Sequence, residues 1–413
     1  MMKELKGACI FGQSGGPTSV INASFYGAAR AALESPMITR VLGAAHGVKG
    51  ILDDVLYDIG KEDPAELERL LNTPSSALGS CRYKLADPDK DDTDYQRILE
   101  IFKKYDVRYF FYNGGNDSMD TCDKISRFMA RSGWECRVMG IPKTIDNDLF
   151  GTDHCPGFGS AAKYIATSCM EISLDAAVYD YGTATVVEIM GRHAGWLAGA
   201  AALATRSGAG PDLIYLPETV FDLDRFLERV KEVLAKTGSV FVAVSEGIQD
   251  KDGVFISEYA AKGAKDAFGH TQLGGLATYL AQQIKEHCGV KARGIELSLL
   301  QRCGAHLASR TDIEEAVMAG RVAVEAAAAG ETGKMVAFRR STEGGVYRCE
   351  TDLVPLTQVA NYENKVPEAW ILPDGAGVTQ DFIDYALPLI QGDCGRETQD
   401  SLPRFAKLKK VRA

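Results

Sequence analysis

Lys143, Asp146 and Asp148 stand close together in the stretch Pro142-Lys143-Thr144-Ile145-Asp146-Asn147-Asp148. An ammonium, a hydroxyl and two carboxylates at that spacing suit chemistry on a phosphate. The Lys meets the anion as a compact charge, and an Asp can take a proton from an attacking hydroxyl or help hold a metal. Just before it, Cys136-Arg137-Val138-Met139-Gly140 is a short apolar run that reads as a buried strand. Pro142, with no N–H to donate, ends that ladder. In α/β proteins the loops at the carboxyl ends of strands form the ligand crevice. Alone, the stretch is equally well a polar turn whose Asp side chains bond their own backbone. Two upstream loops of related character weigh against that.

In the first, strand-like Ala8-Cys9-Ile10-Phe11 leads into Gly12-Gln13-Ser14-Gly15-Gly16-Pro17, and residues 20–33 have helical character. Strand, glycine-rich turn and helix together present backbone N–H groups to phosphate. The loop is neither a Walker A sequence nor a strict G-x-G-x-x-G, so by itself it is as readily a tight turn. In the second, the aromatic strand Val107 to Tyr112 ends in Asn113-Gly114-Gly115-Asn116-Asp117-Ser118, with a helix to about Arg131. Adjacent glycines let a ligand approach the backbone closely. Leu78-Gly79-Ser80-Cys81-Arg82-Tyr83 is a small-residue turn whose Arg is a surface residue by default.

The elements that must position these loops alternate. Asp63-Pro64-Ala65-Glu66 opens a helix to about Leu71, with Asp as N-cap and Pro at the first helical position. A long amphipathic helix is expected from Phe158 to Asp175. Strands are expected at 185–189, 213–216, 240–244 and 294–298, and helices at 223–234 and 314–329, the last closed by Gly330. This alternation predicts an α/β fold with mostly parallel sheets flanked by helices. After about Asn361 the pattern weakens, and the tail reads as an appendage.

Composition bounds the function. The chain has 413 residues, 46% hydrophobic and 25% charged, as in an ordinary globular enzyme. A net charge of −10 argues against a nucleic-acid partner but not against an anionic small substrate met by a local basic cluster. The ten Cys include no C-x-x-C pair, and reduced thiols in a cytoplasm are expected. Met1-Met2-Lys3-Glu4-Leu5-Lys6 carries no signal-peptide pattern, and no apolar run approaches the roughly 20 residues of a membrane span.

Taken in order, Gly114-Gly115-Asn116-Asp117-Ser118, Pro142 to Asp148, Met190-Gly191-Arg192, Ser245-Glu246-Gly247 and Gln301-Arg302 resemble the motifs of phosphofructokinases, over about residues 8–340. Within that family the chain is similar to the pyrophosphate-dependent branch. Lys143 precedes Thr-Ile-Asp where ATP enzymes carry Gly, and Asp117 stands where they carry a further Gly. A carboxylate at Asp117 would crowd and repel the α-phosphate of ATP. Lys143 would give charge to a donor that lacks a nucleoside anchor.

The resemblance implies two lobes: residues 1–155 with about 303–355 for pyrophosphate and Mg²⁺, and about 156–302 for the sugar phosphate. An extension of about 356–413 follows. It implies reversible transfer from pyrophosphate to the 1-hydroxyl of fructose 6-phosphate, serving glycolysis and gluconeogenesis, with Asp146 as base and Asp117 and Lys143 assisting. Gly15, Arg82, Gly115 and Lys143 would contact the diphosphate. Thr144, Ile145, Asp146, Met190, Gly191, Arg192, Glu246, Arg293 and Arg302 would contact the sugar phosphate. Asn116, where most relatives carry Asp, would face the hydration shell of Mg²⁺. A homodimer or homotetramer is implied, with Arg293 crossing the interface. Two departures from bacterial ATP enzymes are Thr183 in place of an intersubunit Arg and Leu299 in place of a His. An ATP-dependent phosphofructokinase and a non-catalytic regulatory paralogue that binds sugar phosphate remain the alternatives. A helix N-cap is the other role open to Asp117.

Overall fold

The structure, a computed structural model, describes residues 5–179, 181–259, 275–360 and 362–413. Residues 1–4, and Asn361 where the tail was expected to begin, lie outside the described residues. The strands of the two main sheets are, in chain order, β1 (Gly7–Gln13), β2 (Ile38–Ala44), β3 (Leu56–Asp58), β4 (Val107–Gly114), β5 (Arg137–Pro142), β6 (Thr183–Ile189), β7 (Leu213–Tyr215), β8 (Ser239–Ser245), β9 (Lys291–Glu296), β10 (Lys334–Ser341) and β11 (Arg348–Pro355).

The larger sheet runs β11-β10-β5-β4-β1-β2-β3 and the smaller β7-β8-β6-β9. All pairings are parallel except β10 with β11 and β2 with β3. Parallel strands covered on both faces need apolar residues throughout, and β1 is buried along its whole length. Helix Asn116–Arg131 buries Met119, Cys122, Ile125 and Phe128 at helical spacing beside the larger sheet. Helices Ile21–Glu34 and Arg310–Ala328 cross closely, because Gly27 meets the backbone of Val317 and Gly320 that of Ser24. No helix among the described residues is long and apolar enough to cross a membrane.

Local signals behave as their chemistry demands, with shifted ends. Asp63 accepts from the Ala65 N–H as an N-cap, but the α-helix stops at Glu68 and continues as a 3-10 turn, Arg69–Asn72. The late helix begins at Arg310, four residues before the expected Glu314, because Ser309 caps it, and Ala329 rather than Gly330 ends it.

Residues 362–413 are not an appendage. Phe382, Tyr385 and Leu389 are buried in the second lobe beside Trp196 and Phe158. The chain then reaches the far edge of the larger sheet, where Asp58 N–H donates to the Val411 carbonyl and Ala413 N–H to that of Leu56. Phe382, Tyr385, Ala386 and Leu389 stand at helical spacing, but that face spans only the short helix Gln380–Ala386 and the 3-10 turn after it, too brief to declare itself among the irregular residues on either side.

His154 joins several segments. Its ring lies 2.7 Å from Asp153 Oδ1 and 2.8 Å from Glu315 Oε2. Tyr347 donates to Glu315, and Arg340 to Asp153. Cys349 completes a group of metal-ligand type, but both imidazole nitrogens already face carboxylates, so the imidazolium itself serves as the cation. Burial alone would lower its pKa; the two carboxylates outweigh that and raise it from 6.5 to about 9. A raised value stabilises the fold fully below about pH 6.5, and the stabilisation is lost as pH rises through about 9. Denaturant unfolding should show a loss on the order of 3 kcal/mol across that window, absent in His154→Gln. Equal pH dependence in both proteins would remove this account.

Candidate active site

β5 delivers the chain into the site. Past Pro142, Lys143 N–H donates to the Gly114 carbonyl at 3.1 Å, which ties the turn to the end of β4. The Lys143 side chain is only 3% exposed, and its Nζ donates to the Gly16 carbonyl at 2.6 Å. It is therefore not a solvated surface lysine. Gly15, at φ 74°, covers it so closely that a Cβ there would sit 3.3 Å from Nζ. Burial lowers the Lys143 pKa to about 8, opposed by the charges of Asp146 and Asp148.

The turn itself is fixed from within. Thr144 Oγ1 accepts from Asp146 N–H at 3.1 Å. Ile145 turns its side chain into the second lobe's core. Asn147 adopts φ 57°, a left-handed conformation that Asn tolerates, and is wholly buried. Its Oδ1 accepts from Cys155 N–H and its Nδ2 donates to the Tyr385 hydroxyl, each at 2.8 Å. Burial raises the Asp146 pKa to about 7, aided by Asp148 and Glu246 and resisted by Lys143 and Arg302. Asp148 is raised in the same direction, also chiefly by burial.

Asn116 faces this turn from the β4 loop, with Nδ2 3.4 Å from Asp148 Oδ2. Asn116 Oδ1 and Asp148 Oδ1 are both buried without a hydrogen-bond partner. Gly115 is the cap residue of helix Asn116–Arg131, so Asp117 is not its N-cap. Asp117 is exposed at the rim, 3.8 Å from Lys84 Nζ.

The small-residue turn is held against the glycine-rich one: Ser80 Oγ donates to the Gly15 carbonyl at 2.6 Å, and Gly15 N–H to that of Cys81 at 3.4 Å. Arg82 is thus carried to the site. Arg302, expected at the sugar phosphate, lies against the glycine-rich turn, and a Cβ on Gly16 would come within 3.1 Å of its guanidinium. Its pKa is lowered by burial first and then by the like charge of Arg82. Like charges held near one another mark an anion site. Beside Arg82 opens a cleft of about 550 Å³, whose lining includes His46, Lys49, Ser80 and Tyr83.

From the second lobe, Met190-Gly191-Arg192 leaves the end of β6. Met190 N–H donates to Gln301 Oε1 at 3.1 Å, and Gly191 N–H to Glu246 Oε1 at 3.3 Å. Gly191 has φ 133°, and a Cβ there would stand 2.6 Å from the Ala194 carbonyl, so only glycine fits. Burial raises the Glu246 pKa, moderated by Gly191 N–H and Arg192. One Glu246 oxygen thus orders the loop.

Arg293 does not join this cluster. It sits on the edge strand β9 opposite Thr185, ~13 Å of strand before Ile189. It is exposed there, 3.3 Å from Asp175. Conversely, Gln301, Asn147 and Tyr385 hold the turn and loop in place, roles that the sequence alone does not assign. Gln301 adjoins Arg302 and Asn147 lies between the carboxylates, so adjacency was their signal; Tyr385 had none.

Buried Lys143, the carboxylates after β5 and the glycine turn after β1 come together between two α/β lobes, an arrangement whose chemistry suits phosphoryl transfer. The Phosphofructokinase family model matches residues 9–329, and the chain belongs to that family. Two relatives are named pyrophosphate–fructose 6-phosphate 1-phosphotransferase. That of Xanthomonas campestris pv. campestris (strain B100) is 44% identical, covering 98% of this chain and 97% of its own. That of Halomonas elongata is also 44% identical, covering 97% and 96%. A crystal structure of a pyrophosphate-dependent phosphofructokinase from Nitrosospira multiformis superposes with a TM-score of 0.90 at 39% identity, covering 98% of each chain.

Proposed function

We propose that this chain is a pyrophosphate–fructose 6-phosphate 1-phosphotransferase, which converts its substrates reversibly to fructose 1,6-bisphosphate and phosphate. The observation that carries the donor assignment is the buried Lys143 ammonium beneath the glycine-rich turn, to which the turn that carries Arg82 is tied. Pyrophosphate lies against Gly15, Gly115, Lys143 and Arg82. Asp146 takes the proton of the 1-hydroxyl as its oxygen attacks phosphorus in line. A carboxylate with a pKa near 7 is ionised often enough at neutral pH and basic enough to act. The protein's share is positioning and charge neutralisation. Met190, Gly191, Arg192, Glu246 and Arg302 orient the sugar phosphate, with Thr144 and Ile145 lining the turn.

The residues fit Mg²⁺, which keeps several waters and uses few protein oxygens. The unpartnered oxygens of Asn116 and Asp148 face one loop from the other and suit metal-bound water, although Asn116 adds no charge. The ion would neutralise charge on the pyrophosphate oxygens. The larger sheet's lobe serves the donor and the smaller one the sugar, in a cytoplasmic enzyme.

Arg293, exposed on a sheet edge and remote from its own site, reaches a neighbouring subunit's sugar phosphate. A monomer by light scattering at assay concentration would count against that arrangement. The cleft beside Arg82 keeps ATP as the second reading. Turnover measured with each donor separates them: pyrophosphate should support turnover at least about 100-fold above ATP, a gap of some 2.7 kcal/mol. Comparable rates would overturn the donor assignment, and no turnover with either would favour a regulatory paralogue.

A further inference from the structure

We propose that the segment after residue 361, through Tyr385 above all, positions the catalytic turn; this rests on the reading of Asp146 as the base. Asp146 and Asp148 flank Asn147, so the direction in which both carboxylates point follows from how Asn147 is held. The Asn147 amide is clamped between Cys155 N–H and the Tyr385 hydroxyl. That hydroxyl accepts from Asn147 and donates onward to the Asp153 carbonyl at 2.7 Å. The ring is itself fixed: the Arg340 guanidinium lies 4.4 Å above it and also donates to the Tyr385 carbonyl at 2.8 Å.

The same segment holds the turn a second time. Asn364 N–H donates to the Asp148 carbonyl at 2.8 Å, and Glu363 pairs with Leu149 in an antiparallel bridge. From there it reaches the sugar-phosphate loop. The Asn364 carbonyl accepts from Trp196 Nε1 at 2.9 Å, and Glu218 Oε1 accepts from the N–H groups of both Gly195 and Val366. One stretch of chain therefore ties the base-bearing turn to the loop that follows Met190-Gly191-Arg192. Tyr385 is a positioning residue: it acts through Asn147 on the reach of Asp146 toward the 1-hydroxyl.

Tyr385→Phe tests this, because it keeps the ring and removes only the hydroxyl. A displacement of the base by about 1 Å costs up to roughly 100-fold, so kcat should fall about 10- to 100-fold. KM for both substrates, and the affinity for fructose 6-phosphate measured by calorimetry, should stay within about two-fold. In an Asp146→Asn background the same change should alter the residual rate by less than about two-fold, because the group it positions is already gone. Wild-type kcat in Tyr385→Phe, an equal loss of sugar-phosphate affinity, or an undiminished effect in the Asp146→Asn background would each overturn the proposal. Full turnover by Asp146→Asn would instead overturn the base assignment itself, and the premise with it.

Discussion

Asp146→Asn should lower kcat by about 1,000-fold or more while leaving the affinity for fructose 6-phosphate nearly unchanged. General-base catalysis alone contributes roughly 100- to 10,000-fold. The substitution keeps the shape of the turn, because the bonds that fix it belong to Thr144 Oγ1, Asn147 and Cys155 and not to the Asp146 carboxylate. A pH signature accompanies the loss. The base must be ionised, and its pKa is raised to about 7, chiefly by burial, so wild-type kcat should fall as pH drops through about 7. Asp146→Asn should lack that limb. The same limb in the variant would show that another group takes the proton, whereas an acid limb near pH 4 in the wild-type enzyme would show that burial does not raise the pKa of Asp146.

Lys143→Gly should reduce kcat/KM for pyrophosphate by about 100- to 1,000-fold, the usual cost of losing one preorganised donor at a transferring group. Its ammonium is already desolvated and fixed by the Gly16 carbonyl, so no reorganisation is needed when the donor arrives. A second effect follows when Asp117→Gly is added. The cleft of about 550 Å³ beside Arg82 has room to house part of a nucleoside. The resemblance sets Asp117 against the α-phosphate of ATP and gives Lys143 to pyrophosphate, and it places neither in that cleft. The double variant should therefore gain ATP use relative to pyrophosphate. An unchanged donor ratio would show that crowding and repulsion by Asp117 and the charge of Lys143 do not set the choice.

Much of the site was legible because its parts lie at strand ends. Gly15, Gly115 and Lys143 each follow a strand whose burial the apolar runs announced, and parallel pairing brings those ends together. The motif resemblance supplied residues that spacing could not, such as Glu246 and Arg302. What stayed hidden was long-range or weakly patterned. β2 begins Ile38-Thr39-Arg40, and β11 carries Glu350-Thr351-Asp352 at its middle, so neither makes an unbroken apolar run. Helix Thr93–Lys104 is mostly polar by count and declares itself only through the spacing of Tyr95, Ile98, Leu99 and Phe102. Tyr385 meets Asn147 across 238 residues of chain, a contact that no local pattern encodes.

The borders of the larger sheet carry one more consequence. An open strand border is a template for adding a stranger's strand. On one side Val411 and Ala413 already occupy the backbone groups of β3. On the other, β11 exposes Arg348, Glu350 and Asp352 and finishes at a proline, which cannot donate. Lateral growth into fibrillar aggregates is thus discouraged at both margins, by self-pairing at one and by solvated charge at the other.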